Sequence, residues 1–291
     1  MKTFLSIITV FTIIISPFAF ANNKQLISTY VSQAPIIDGK NTDNSWSKAT
    51  AIITRDLITK KDITIKSIHT NDHIYILVQY PDSNEERQHK TLFWDETLEM
   101  YKAGPEREDS FVIKWSMEVG PIDLSLSSNR PYQADIWYWK AARTDHAGYA
   151  DDKMHNYSLY KQKKTKQLLS KSGRLFYLSR TGDKGKSAYS TVFQDNYSGK
   201  RISRFIFRKP EGSRADVRAK GNFKNGVWTI EFARKLTTGH NDDVSFNLAG
   251  KYQFGVSIYE IAGRGKEVRA VKPLFGGGEI SESLLLMFNK N

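Results

Sequence analysis

Trp137, Trp139, Lys140 and Arg143 lie close together in the stretch Ala134–Asp152 (Ala-Asp-Ile-Trp-Tyr-Trp-Lys-Ala-Ala-Arg-Thr-Asp-His-Ala-Gly-Tyr-Ala-Asp-Asp). Two indoles two positions apart share one side of a β-strand. Such a pair either lines an aromatic-ligand cleft or fills an apolar core. The expectation is one indole of each kind. Lys140 and Arg143 follow directly and place two cations beside the indoles.

Other chemistry-bearing residues are sparser. His146 and His155 flank the turn Gly148–Asp152, and solvated loop histidine is the ordinary state for each. Asp151-Asp152 and Asp242-Asp243 are paired acids, but neither pair alone supplies enough oxygens for calcium, so both read as charged turns. Met117 ends the apolar stripe Phe111, Ile113, Trp115, a position that usually belongs to core filler. No nucleophile elbow, Gly-rich phosphate loop or zinc-binding His pattern is present, and nothing argues positively for an enzyme.

The elements that position these residues read as strands. Phe111–Met117, Trp228–Phe232 and Phe254–Ile258 alternate with period two, and His73–Tyr80 is apolar on both faces, as in a central strand. Asn71-Asp72 and Asn225-Gly226 mark hairpin turns. Glu96–Ala103 and Gln162–Lys171 are the best helix candidates. The pattern implies a mainly β chain, an antiparallel β-sandwich of jelly-roll or immunoglobulin-like type with a few short helices. Trp115, Trp228, Phe232, Phe254 and Val256 are its expected core.

Lys2, the apolar run Phe4–Ile15 and Ala19-Phe20-Ala21 form a secretion signal, with cleavage expected after Ala21. The mature chain, residues 22–291, would then be one periplasmic or secreted β-sandwich domain without a transmembrane segment. None of the 291 residues is Cys, which excludes disulfides, thiolate metal sites and thioether-linked haem. The net charge of +12 is concentrated: Tyr160–Lys224 carries 18 Lys and Arg against four acids. An exported protein seldom meets nucleic acid, so this segment either faces an acidic partner protein, anionic lipid headgroups or haem propionates, or is a solvated basic face.

The double-Trp stretch resembles the Asp-x-Trp-x-Trp-Lys-Ala-x-Arg segment of the haem-binding domain family typified by the gamma subunit of ethylbenzene dehydrogenase. Further likenesses are Asp38-Gly39 with Trp46–Ala49, Tyr80-Pro81-Asp82 with Glu108–Phe111, and Gly212–Val217 continuing through Trp228 to Val256. The resemblance implies an exported domain that holds haem b non-covalently for electron transfer, with a redox partner protein. It implies Trp137 and Trp139 at the haem, Lys140 and Arg143 at its propionates, and Lys266 as one axial ligand, with Lys272 behind it. Met117 is the candidate for the other axial position. The chain departs from the family by lacking both the Cys-x-x-Cys-His of its cytochrome-type members and a Met just before the double-Trp segment. A sandwich with a degenerate haem site, binding a carbohydrate or other small ligand, is the alternative.

Overall fold

The computed structural model describes residues 23–258 and 279–289. Its strands in chain order are β1 (Lys24–Tyr30), β2 (Ile52–Arg55), β3 (Asp62–His69), β4 (His73–Pro81), β5 (Leu92–Asp95), β6 (Met100–Ala103), β7 (Ser110–Ser116), β8 (Tyr132–Lys140) and β9 (Asp151–Ser158). They continue with β10 (Lys166–Leu169), β11 (Leu175–Gly182), β12 (Tyr189–Thr191), β13 (Arg201–Ile202), β14 (Phe205–Phe207), β15 (Arg218–Lys224), β16 (Val227–Lys235), β17 (Lys251–Ile258) and β18 (Leu284–Phe288). The main sheet runs β10-β11-β9-β8-β7-β17-β18-β1-β3-β4-β16-β15, with β2 on β3. All its pairings are antiparallel except β1 with β18 and β1 with β3.

This long sheet folds over on itself into a β-sandwich. Rings from β7 and β8 meet rings from β4 and β16: Phe111 lies 5.7 Å from Tyr80, and Trp139 packs edge-on to Trp228 at 4.9 Å. Burying aromatic area at this density is the main stabilising term of the fold. The expected core residues Trp115, Trp228, Phe232, Phe254 and Val256 all lie in this cluster. Both predicted hairpins form. At the β15–β16 turn Asn225 and Gly226 both have positive φ (53° and 74°), the type I′ geometry that suits a twisted two-residue hairpin.

The other face of β7 and β8 is covered as well. Val112, Ala134, Ile136 and Tyr132 pack with Ile122, Leu124, Tyr157 and Ile280 in a second cluster. Lys114, on that face, is fully buried and donates to the Leu124 carbonyl at 2.7 Å. Alternation therefore sorts β7 and β8 between two interiors rather than between interior and water.

The two predicted helices are absent. In Glu96–Ala103 the Asp95 carboxylate accepts from the Thr97 and Leu98 amides, closing a turn, and Met100–Ala103 becomes β6. In Gln162–Lys171 a positive φ at Lys164 (59°) breaks any helix before β10, which pairs with β11. Sheet pairing overrides helix propensity in both. Among the described residues the helices are one four-residue turn, Asn44–Ser47, and two 3-10 turns, Asp145–Ala147 and Gly212–Ala215. None is long and apolar enough to cross a membrane.

Candidate functional site

On β8, Asp135, Trp137 and Trp139 face the main core, whereas Ile136, Tyr138 and Lys140 face the second layer. Both indoles are fully buried. Trp137 packs against Trp115 at 5.3 Å and Phe232 at 6.3 Å. Trp139 lies across β15, where a Cβ on Gly221 would come within 2.3 Å of its ring, so glycine is required for the indole to fit. Its Nε1 donates to Asp145 at 2.8 Å, and the Gly221 amide donates to the same oxygen at 2.6 Å. The expectation of one pocket-lining indole is thus corrected: both are core, because the strand's parity places them together.

After β8 the chain turns around Glu108. The Glu108 carboxylate accepts from the Ala142 and Arg143 amides (2.7 and 2.9 Å) and from the Arg143 guanidinium. Lys140 donates to Asp151 and, at 3.1 Å, to Tyr189. Asp151 also accepts from Arg214 and pairs with Lys153 at 3.2 Å. Burial pushes Lys140 down to about 8, with Asp151 opposing that shift. Burial would raise the Asp151 carboxyl, but Lys140, Lys153 and Arg214 outweigh it and hold Asp151 well below the usual carboxylate range. Lys140 and Arg143 are therefore both ion-paired within the protein, to Asp151 and Glu108.

Over this network lies a cavity of about 470 Å³, lined by Arg87, His89, His146, Arg201, Phe205 and Phe207 and floored by Ala141 and Ala142 of the double-Trp segment. Sites for small ligands and cofactors are commonly of this size. Phe205 connects cavity to network: its ring lies 5.5 Å from Tyr189 and 5.7 Å from the Arg143 guanidinium. His146 packs edge-on to Phe207 at 3.9 Å. The Nδ1 of His89 is buried, makes no hydrogen bond, and stands 3.4 Å from Glu108. Burial, then Arg143 and the other nearby cations, push His89 down to about 2, so its imidazole is neutral.

The family model described as ethylbenzene dehydrogenase matches residues 43–269. The chain belongs to that family. The match contains the whole double-Trp segment and every residue named in the cavity wall. No curated protein matches the chain. Among solved structures, the chain is similar to a family 9 carbohydrate-binding module from Caldicellulosiruptor kristjanssonii in complex with glucose, at 11% identity, TM-score 0.40, covering 92% of this chain and 97% of the module. The same organism's module in complex with cellotriose gives 11% identity, TM-score 0.41, and coverage of 92% and 95%.

The remaining candidates are scattered. Met117 follows β7 at the end opposite Lys140, because Ser110 pairs with Lys140 and Ser116 with Ala134. Seven residues of extended chain span about 23 Å, so Met117 lies far from Lys140 and the cavity beside it. Met117 instead packs on the main core and lines a second cavity of about 420 Å³ with Asp243, Lys251 and Tyr252. His155 is buried on the outer face of β9, opposite Ala134, away from the first cavity. Lys266 and Lys272 lie outside the described residues.

Sequence reasoning missed His89, Phe205 and Phe207. His89 stands in the charged run Glu85-Glu86-Arg87-Gln88-His89-Lys90, which reads as a solvated loop. Only its long-range placement against Glu108 and the β14 aromatics makes it notable. Asp135 did carry a signal: it shares strand parity with Trp137 and Trp139, so an acid was due in an apolar interior.

Proposed function

We propose that the chain is an exported haem-binding domain that holds haem b non-covalently for electron transfer, with the site in the His89–Phe205–Phe207 cavity. The observation that carries it is a neutral, half-buried histidine whose enclosed Nδ1 lacks a hydrogen bond, in the wall of a cofactor-sized cavity beside the family's double-Trp segment. Neutral imidazole is the state that ligates iron. Phe205, Phe207 and His146 supply an apolar, aromatic wall, and Arg87 and Arg201, paired within the protein to Asp145 and Glu106, stand in the same wall as cations that propionates could share. Glu108 fixes the turn that floors the cavity and faces His89 Nδ1, the second-sphere position that sets ring orientation and ligand basicity. Lys266, which the family resemblance assigns as an axial ligand, lies outside the described residues and would be the second residue to hold the iron. Bound haem would supply one-electron chemistry; this chain supplies the ligand, the dry wall and the cations. The basic segment Tyr160–Lys224 would dock an acidic redox partner in the periplasm.

The test is a haem titration of the mature chain followed by absorbance. The expected result is a shifted Soret band at one haem per chain, lost in His89→Ala and altered in Lys266→Ala. A wild-type chain that leaves the haem spectrum unchanged removes the electron-transfer role and leaves a ligand-binding sandwich. A shift that persists unaltered in His89→Ala keeps the function and relocates the ligand.

A further inference from the structure

At the other end of β8 the sandwich encloses a set of carboxylates that the proposed haem site does not use. Asp135 comes from β8, Asp152 from the neighbouring β9, and Asp243 from the loop after β16. One oxygen of each lies within 4.8 Å of the others. Asp183, just past β11, reaches hydrogen-bonding range of Asp152. All four are buried, Asp152 at 0% exposure. The paired acids Asp151-Asp152 and Asp242-Asp243, each inadequate alone, thus contribute one member apiece to a common cluster.

Its counter-charge is Arg234. This guanidinium donates to Asp135 Oδ2 at 2.5 Å and to the Val244 carbonyl, and stands 3.4 Å from Asp243 Oδ1. The Val244 amide also donates to Asp135 Oδ2, at 3.0 Å. These contacts leave much unsatisfied. Asp135 Oδ1, both oxygens of Asp152, both oxygens of Asp243 and Asp183 Oδ2 are buried without a hydrogen-bond donor. Asp152 is the decisive member: it is wholly enclosed, and among the described residues the only group within hydrogen-bonding range of its oxygens is another acid, Asp183. A buried carboxylate without donors costs several kcal/mol unless it is neutralised. One arginine cannot neutralise four acids.

We infer that Asp135, Asp152, Asp183 and Asp243 form a binding site for a hard divalent cation, calcium by preference. The donor set is all oxygen, which disfavours zinc and other softer metals. One oxygen each from Asp135, Asp152 and Asp243 forms the centre of the ligand set, and further unpartnered oxygens of the cluster, Asp183 Oδ2 among them, and solvent supply the rest of calcium's six to eight ligands. Magnesium keeps several waters and seldom occupies a cage built wholly from protein oxygens. The two strand residues are held rigidly by the β8–β9 ladder, in which Asp135 pairs with Met154 and Trp137 with Asp152. Asp243 also lines the 420 Å³ cavity beside Met117 and Tyr252, which gives the ion a path from solvent. The competing way to neutralise the cluster is protonation, and burial together with mutual repulsion does push Asp183 up to about 8 and Asp243 up to about 7.

The site is independent of the haem reading, and its test uses no haem. The mature chain is stripped with chelator, then titrated with Ca²⁺ by calorimetry and with Tb³⁺ by luminescence excited through tryptophan. Trp137 is placed to sensitise terbium, since the Arg234 guanidinium lies 4.9 Å from its ring. One saturable site is expected, with Tb³⁺ emission displaced by Ca²⁺ and a higher melting temperature in Ca²⁺ than in Mg²⁺ or chelator. Asp152→Asn should weaken Ca²⁺ binding by at least about tenfold, because ligand charge sets affinity. If that variant does not fold, wild-type Tb³⁺ emission and its displacement by Ca²⁺ decide the matter alone. A stripped wild-type chain that takes up neither ion and melts identically with and without Ca²⁺ overturns the site and assigns the cluster to protonated acids.

Discussion

The two ends of β8 gather opposite excesses of charge, mostly half-buried cations at one and buried acids at the other. At its C-terminal end Lys140, Arg143, Lys153 and Arg214 surround Asp151 and Glu108, four cations to two carboxylates. At its N-terminal end the carboxylates of Asp135, Asp152 and Asp243 surround Arg234, with Asp183 beside Asp152. Between them Trp137 and Trp139 fill the interior with aromatic rings. Buried charge of one sign is tolerated only when paired or when a ligand of the other sign completes it. The cation-rich end adjoins a cavity suited to an anionic cofactor; the acid-rich end forms a cage suited to a cation.

The apolar middle keeps these ends apart, and its loss should have the largest effect. Trp228→Ala removes an indole packed on both Trp139 and Phe223, and should cost about 4 kcal/mol by denaturant unfolding. A loss under about 1 kcal/mol would contradict the packing. Next comes Arg234→Met, which strips the acid-rich end of its counter-charge. It should cost about 3 kcal/mol at neutral pH in chelator, and the cost should shrink as the solution is acidified and the carboxylates take up protons. An equal loss at pH 5 and pH 8 would show that packing, not charge, is what Arg234 provides. At the cation-rich end, Glu108→Gln leaves Arg143 without its carboxylate and should cost about 2 kcal/mol.

The two ends should also respond to pH in opposite senses. Asp183 and Asp243, raised in the fold, hold protons that the unfolded chain has released near pH 4. Without a cation, their contribution is full below that value and is lost as pH rises towards about 8. The groups facing them are Asp135, Asp152, Asp242 and Arg234, with Asp216 and His240 beside Asp243. Asp151, held low by its cations, contributes fully above the ordinary Asp value and loses its share in acid. Melting in chelator across pH should show wild type losing ground to Asp183→Asn as pH rises, and Ca²⁺ should flatten that trend. A difference that does not vary with pH would remove the charged-cluster account. The smallest effect concerns the basic segment: capture of an acidic redox partner should fall as salt is raised, since screening shortens exposed charges' reach to ~8 Å at physiological ionic strength. Salt-independent capture would contradict an electrostatic dock.

Much of this organisation was legible from local pattern. Parity alone placed Trp137 with Trp139 and Phe111 with Trp115, and Asn225-Gly226 specified its hairpin. Parity also put Asp135 among the indoles, but its meaning depended on Asp152, Asp183 and Asp243 arriving from elsewhere in the chain. The helix readings failed at Glu96–Ala103 and Gln162–Lys171 because short polar segments with helix-forming residues were claimed by neighbouring strands. Lys140 and Arg143 stood out as cations after the double-Trp pair, yet their partners Asp151 and Glu108 could not be assigned without the register. His89 gave no local signal, since burial of a histidine within a charged run is purely a tertiary result.

The central claim is that a haem sits at the cation-rich end of β8, and haem titration of wild type, His89→Ala and Asp152→Asn tests it most directly. The account predicts a Soret shift in wild type and Asp152→Asn that is lost in His89→Ala. No shift in wild type, or a shift lost in Asp152→Asn while His89→Ala retains it, would contradict that placement.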